Sequence, residues 1–201
     1  MHPTVETPPP QSAGLGWRLL RRIFGAGRER TLGPAQGQVL DLGTGTGESL
    51  PHYHRPLRVV GLDPQPAALQ RAAEVVAGAG YPAALVRARA EALPFLSHSF
   101  DTVAGSLVFC SVGDPPAALA EVRRVLRPGG ELRLVEHVRP AHGVMRLVVD
   151  LATLAWRRIS HECRLDRDTL GALRAAGFRI RELRQGASGM IVEVVAEGVS
   201  E

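Results

Sequence analysis

The segment VLDLGTGTGES, Val39 to Ser49, decides the fold. A short apolar run is broken only by Asp41, and glycine then returns at every second position, Gly43, Gly45 and Gly47. An apolar run of this length, bounded by a glycine-rich turn, is the pattern of a buried β-strand feeding a tight loop. Glycine carries no Cβ, so such a loop lets a ligand come up against bare backbone, as in the first turn of a nucleotide-binding βαβ unit.

Two familiar uses of such a loop do not fit. The dinucleotide fingerprint counted from Gly43 needs glycine at position 48, and the chain has Glu48. A P-loop needs a lysine on the phosphates, and all 24 basic residues here are arginine. The absence of lysine also excludes Schiff-base chemistry on a lysine amine. What remains is an acidic residue followed by alternating glycines, with a second acidic residue, Asp63, at the end of the next apolar run, RVVGLD. Asp63 lies where a βαβ unit brings a carboxylate over a ribose, and it would repel a 2′-phosphate.

Outward from this segment, short β-rich runs alternate with helical patterns. Strands are expected at QVLDLG, RVVGLD, ALVRARA, FDTVAGSLV, ELRLVEHV, FRIRELR and MIVEVVAEG. Helices are expected over residues 47–52, 65–77, 116–126, 143–159 and 167–176, with RPGG (Arg127 to Gly130) and Gly177 as stops. Only QGASG separates the last two strands, too little for a helix, so they must pair as an antiparallel hairpin. The expectation is an α/β, Rossmann-like sheet of seven strands, mostly parallel, with one strand reversed and helices on both faces.

The 201 residues are enough for one main domain, expected over 38–201. Residues 1–14 read as a Pro-rich tail. Residues 15–37 are expected to form a lid helix, in which Trp17, Leu20 and Phe24 share a face and Arg18, Arg21 and Arg22 lie between. That basic amphipathic helix suits either the mouth of a site or peripheral contact with a membrane surface. The first residues lack the order of a signal peptide. The most apolar segment, Val144 to Trp156, is interrupted by Arg146 and Asp150 and is too short to span a bilayer. With only Cys110 and Cys163, a reducing cytoplasm is the expected setting. The net charge of +4 is spread along the chain, so nucleic acid is not an expected partner.

The blocks VLDLGTGTG, VVGLDPQPAAL, AEALPF, FDTVAGSLV and EVRRVLRPGGELRLVEHV, in this order, resemble the class I S-adenosylmethionine-dependent methyltransferases. SLVFCSV, EHV and WRRISHECRLDRDTLGALRAAGF are closer to the small alkyl-thiol methyltransferase-like branch than to the ubiquinone/menaquinone group. The resemblance implies S-adenosyl-L-methionine as cofactor. Asp41, Gly43, Thr44, Gly45, Thr46 and Gly47 would then hold its methionine portion, with Ser106 at that end. Asp63 would take the ribose, with Pro64 against the adenine. Many relatives carry an aspartate before AEALPF that takes the adenine amine. Arg89 stands there in this chain, leaving Ala90 and Glu91 as substitutes.

The implied reaction is methyl transfer to a small, apolar acceptor, with a thiol favoured. Transfer to carbon, oxygen or nitrogen of a quinone, phenol or phospholipid amine is the alternative. A non-catalytic S-adenosylmethionine-binding or membrane-surface adaptor is the alternative of another class. His137, at the end of the fifth strand, is the expected base where the acceptor needs one. Cys110, Trp156 and His161 are candidate acceptor-site residues. Cys110, Cys163 and His161 lack the fourth ligand of a fixed zinc geometry, so no metal is expected. Oligomeric state is not readable from these features.

Overall fold

The computed structural model describes residues 24–138, 167–186 and 191–198. The tail, Trp17 and Leu20, the helix expected over 143–159 with Trp156, and both His161 and Cys163 lie outside the described residues. The strands are β1 (Gln36–Leu42), β2 (Arg55–Asp63), β3 (Ala83–Arg87), β4 (Phe100–Ser106), β5 (Leu126–His137), β6 (Phe178–Gly186) and β7 (Ile191–Gly198). Helix α1 is described from residue 24 to residue 31, so β1 begins inside the segment expected to be lid. The others are α2 (Pro66–Ala77), α3 (Pro115–Val125) and α4 (Thr169–Ala175).

Together the strands form one sheet in the order β3-β2-β1-β4-β5-β7-β6. Strand β7 runs antiparallel to both β5 and β6, as the short connection between the last two strands requires. All other pairings are parallel. Strand order reverses between β1 and β4, and at such a switch point the loops leaving neighbouring strands diverge and open a crevice at the carboxyl edge.

Alternation along β1 divides the core. Leu40 and Leu42 join Val103, Leu132, Leu134 and Val194 on the face covered by Leu119 and Val122 of α3 and Leu173 of α4. Val39 joins Val59, Ala104 and Val135 on the other face, with Leu32, Leu50 and Tyr53. Asp41 shares the side of Val39 by strand period and is fully buried there.

Local chemistry sets the helix ends. Asp114 caps α3 by accepting the Ala117 N–H at 3.1 Å, and Pro115 and Pro116 sit in the first turn, where no N–H is needed. Asp168 caps α4 through the Gly171 N–H at 2.8 Å, which starts that helix two residues later than the periodicity suggests. Gly177 closes it at φ +77°. The helix expected over 47–52 is only a 3₁₀ turn, Leu50–His52, because Gly47 at φ +87° leaves no right-handed backbone to extend. Helix α3 ends at Val125, before RPGG, which lies inside β5 and is not the helix stop, with Gly129 at φ +78° and a register shift against β4.

Leu134 is fully buried in the central strand β5. Leu134→Ala is expected to cost about 2–5 kcal/mol, the usual range for truncating a buried leucine, read from chemical denaturation midpoints.

Candidate functional site

At the switch point a cleft of about 530 Å³ opens between the glycine loop, the end of β2 and the turn after β4. Of the residues singled out in the sequence, Gly43, Gly45, Asp63, Pro64, Ala90 and Glu91 line it. A hollow of about 500 Å³ lies between Leu50, Tyr53, Arg55 and Tyr81, at the amino end of β2, but it contains no carboxylate. The first cleft is at the edge where open α/β sheets bind ligands.

Gly43 and Gly45 have φ of +62° and +54°. A Cβ on Gly43 would stand 2.8 Å from Cγ2 of Val108, so the glycine is required by packing as well as by conformation. At Gly45 the nearest atom to such a Cβ is 3.9 Å away, which leaves this backbone open to the cleft.

Asp63 joins the glycine loop to the end of β2. Its Oδ2 accepts the Gly45 N–H at 3.0 Å and its Oδ1 accepts the Gln65 N–H at 2.8 Å. An ionised carboxylate has about four lone-pair directions, so two acceptor positions are left over for hydroxyls in the cleft. Asp63 is 9% exposed and lines the wall, so those positions are not spent in the core.

Asp41 is placed differently from the cleft residues. It is fully buried, accepting the Thr44 hydroxyl at 2.6 Å and the Tyr53 hydroxyl at 2.7 Å. Burial pushes its carboxyl up to about 6, against the pull of those two bonds and the nearby Arg28 guanidinium. Asp41 and Thr44 thus brace the loop from behind. Thr46 and Gly47 line a shallower hollow of about 330 Å³ beneath α1, beside Arg28 and Glu48.

Arg28, Tyr53 and Glu136 were not anticipated. Arg28 is 8% exposed, donates from Nε to Ser106 Oγ at 3.0 Å, and pairs with Glu48 at 2.9 Å. It carries α1 across the glycine loop to the end of β4. Ser106 therefore meets an arginine of α1 and does not line the cleft. The sequence signal was an arginine at the inner end of a helix already read as basic, and nothing in that pattern separates a buried guanidinium from a solvated one.

Glu136 is fully buried at the end of β5, with Oε1 accepting the N–H groups of Val108 at 2.8 Å and Phe109 at 2.9 Å. Burial, with Cys110 beside it, pushes this carboxyl up to about 8. A glutamate interrupting the apolar strand LRLVEH was the available signal. His137, next to it, is absent from the cleft lining. Its Nδ1 is buried without a hydrogen-bond partner among the described residues, and burial holds the imidazole below its ordinary range.

Glu91 Oε1 anchors the start of the loop before α3, accepting the N–H groups of Gly113 at 2.9 Å and Asp114 at 3.2 Å. Burial works to raise its carboxyl, but these and its own N–H, with Arg89 alongside, bring it below the ordinary range. Cys110 is 2% exposed, with Sγ donating to the Leu107 carbonyl at 3.3 Å. Among the described residues no group of three or more His, Cys, Asp or Glu side chains is arranged to hold a metal ion. Among them, too, no helix is long and apolar enough to cross a membrane.

Residues 40–134 match the family model described as a methyltransferase domain. The chain is 33% identical over 162 residues to Thiol S-methyltransferase TMT1B of Homo sapiens, covering 79% of this chain and 66% of that protein. It is 36% identical over 124 residues to the ubiquinone/menaquinone biosynthesis C-methyltransferase UbiE of Shewanella halifaxensis, covering 57% of this chain and 48% of that one. The chain thus spans about half to two thirds of these relatives' own length. The fold matches that of an S-adenosylmethionine-dependent methyltransferase from Mesorhizobium loti with a TM-score of 0.61 and 22% identity, over 91% of this chain and 98% of that one.

The buried Asp41 makes stability depend on pH. Its folded carboxyl, at about 6, holds a proton more tightly than the ordinary value of 3.8. The native state therefore binds more protons between those values, and stability from this group is lost as pH rises through about 6. Asp41→Asn cannot ionise, and its Oδ1 still accepts one hydroxyl while the Thr44 hydroxyl can turn to accept from the amide. Urea unfolding of the variant is expected to lack this loss between pH 4 and pH 7, a difference on the order of 2–3 kcal/mol.

Proposed function

We propose that the chain, whose residues 40–134 match a methyltransferase domain, is a class I S-adenosylmethionine-dependent methyltransferase that takes a methyl group from S-adenosyl-L-methionine and transfers it to a small apolar acceptor, a thiol first among them. The observation that carries the cofactor assignment is the cleft itself. It combines open backbone at Gly45 with a wall carboxylate, Asp63, that keeps acceptor positions spare. The residues fit the group: Asp63 would accept from the ribose hydroxyls, the glycine loop would hold the methionine portion, and Pro64 and Ala90 would flank the adenine.

When bound, S-adenosyl-L-methionine supplies a methyl group on a cationic sulfur, already activated toward nucleophiles. The chain's own contribution is orientation and exclusion of water, and holding reacting groups in line lowers barriers by about 7–11 kcal/mol at most. Leu107, Val108 and Val112 give the cleft an apolar wall after β4. The buried Asp41, bonded to the Thr44 hydroxyl, places a carboxyl behind the loop that would hold the methionine portion. Arg28, spanning from Glu48 to Ser106, closes α1 over that end.

A thiol acceptor is supported by the likeness to the thiol methyltransferase and by the apolar wall. An ordinary thiol, with a pKa of about 8.5, supplies a small but strongly nucleophilic thiolate fraction near neutral pH, whereas a phenol at about 10 or a ring carbon depends more on a base. His137, at the end of β5 but outside the lining of the cleft, is the candidate for that base, and burial lowers its pKa, which favours the neutral imidazole.

Asp63→Ala removes the ribose acceptor, and a hydrogen bond to a charged group contributes about 1.5–3 kcal/mol, so S-adenosylhomocysteine affinity by calorimetry should fall about 10- to 100-fold. An unchanged affinity overturns the cofactor assignment. Transfer from labelled cofactor to a panel of thiols, phenols and amines tests the acceptor; tight cofactor binding with no labelled product favours the adaptor reading. His137→Gln is expected to abolish phenol or carbon methylation while only slowing transfer to thiols, and equal activity on every acceptor removes His137 as the base.

A further inference from the structure

Glu136 does no evident work as a surface charge or as a lining residue, yet it is a carboxyl buried completely in the core. Such a group costs several kcal/mol unless it is paired and hydrogen-bonded. Its bonds are one-sided. Oε1 collects the N–H groups of Val108 and Phe109, with the Cys110 N–H also turned toward the carboxyl, while Oε2 is buried without a partner among the described residues.

Those amides belong to the turn that leaves β4. It begins at Leu107 with φ +59°, a conformation that a leucine adopts only under constraint, and the Leu107 N–H is fastened to the Val135 carbonyl at 2.9 Å. Val108 then points back onto the sheet. Its side chain would stand 2.8 Å from a Cβ on Gly43 and 3.1 Å from one on Gly105, so it is wedged between the glycine loop and β4. A continuous chain of contacts therefore runs from the Glu136 carboxyl through the Val108 amide and side chain to the α-carbon of Gly43.

We propose that Glu136 is a positioning residue for the cofactor loop: its carboxyl pins the 107–110 turn so that Val108 backs Gly43 and holds the glycine loop in its binding curvature. The inference rests on the reading of this cleft as the cofactor site, but the anchor itself can be observed without any ligand. Reach, rather than a carboxyl as such, is what the role demands. Glutamine keeps an oxygen at the same distance from the backbone; aspartate keeps the carboxyl but falls short by about 1.5 Å, one carbon–carbon bond.

The test uses the full chain with Glu136→Gln, Glu136→Asp and Glu136→Leu. Amide hydrogen exchange at residues 108–110 is measured without ligand, and S-adenosylhomocysteine affinity by calorimetry. Glu136→Gln is expected to stay within about threefold of the parent in both readouts, whereas the Asp and Leu variants lose at least about tenfold in both. Exchange in α3 and central β1 should not change. An Asp variant that matches the parent while the Gln variant fails would mean that the carboxyl, not its reach, matters, and would overturn the proposal. So would a Leu variant with unaltered exchange and affinity.

Should Glu136→Leu fail to fold, Val108→Ala serves in its place. It removes the wedge and keeps the anchor, so affinity should fall about tenfold with exchange at 109–110 retained, and unchanged affinity overturns the proposal. If the parent chain binds no S-adenosylhomocysteine, the cofactor assignment fails and the proposed role falls with it. Exchange at 108–110 would then show separately whether the carboxyl anchors the turn.

Discussion

The bond from the Gly45 N–H to the Asp63 carboxylate is the joint on which the site depends. It ties the loop after β1 to the end of β2, next to the position where the strand order reverses and the carboxyl edge opens. The loop can be held this way because glycine at φ +54° turns its amide toward the neighbouring strand. Asp63 keeps its remaining acceptor positions toward the cleft. One carboxylate thus shapes the loop and presents an acceptor to a ligand.

Buried polar groups brace the same loop from other directions. Asp41 takes two hydroxyls behind it, Arg28 reaches across it from α1, and Glu136 fastens the turn whose valine packs on Gly43. Each of these groups would be costly alone in a dry interior; hydroxyls, amides or an opposite charge answer at least part of its hydrogen-bonding capacity. Burial still leaves Asp41 and Glu136 with raised pKa values, about 6 and about 8. Ordering these groups before a ligand arrives lowers the entropic cost of binding it. Rigidity near the glycine loop is then bought with core polarity rather than with extra apolar packing.

The same principle explains the arginine usage. Arg30 pairs with the largely buried Glu193, which also accepts the Thr31 hydroxyl, and Arg133 donates to the Thr31 carbonyl. The described part of α1 is therefore joined to β5 and β7 as well as to the glycine loop. Arginine suits these crossings because its planar donors can serve two partners at once. On the sheet's outer strand, Arg179 and Arg181 share Glu197, where exposure leaves such pairs a small contribution.

The alternation of apolar runs with helical patterns determined the seven strands and the antiparallel last pair, because strand identity follows from short-range periodicity and a connection too short for a helix. The glycine loop and Asp63 were legible for the same reason: backbone conformation and a βαβ repeat fix their separation along the chain. The 3₁₀ turn in place of a helix at 50–52 came from left-handed backbone at Gly47, which residue type allows but does not compel. Arg28, Tyr53 and Glu136 became part of the site only through the tertiary structure. Their partners lie 78, 12 and 28 residues away along the chain, and burial of a charge depends on what packs around it, which no local pattern encodes.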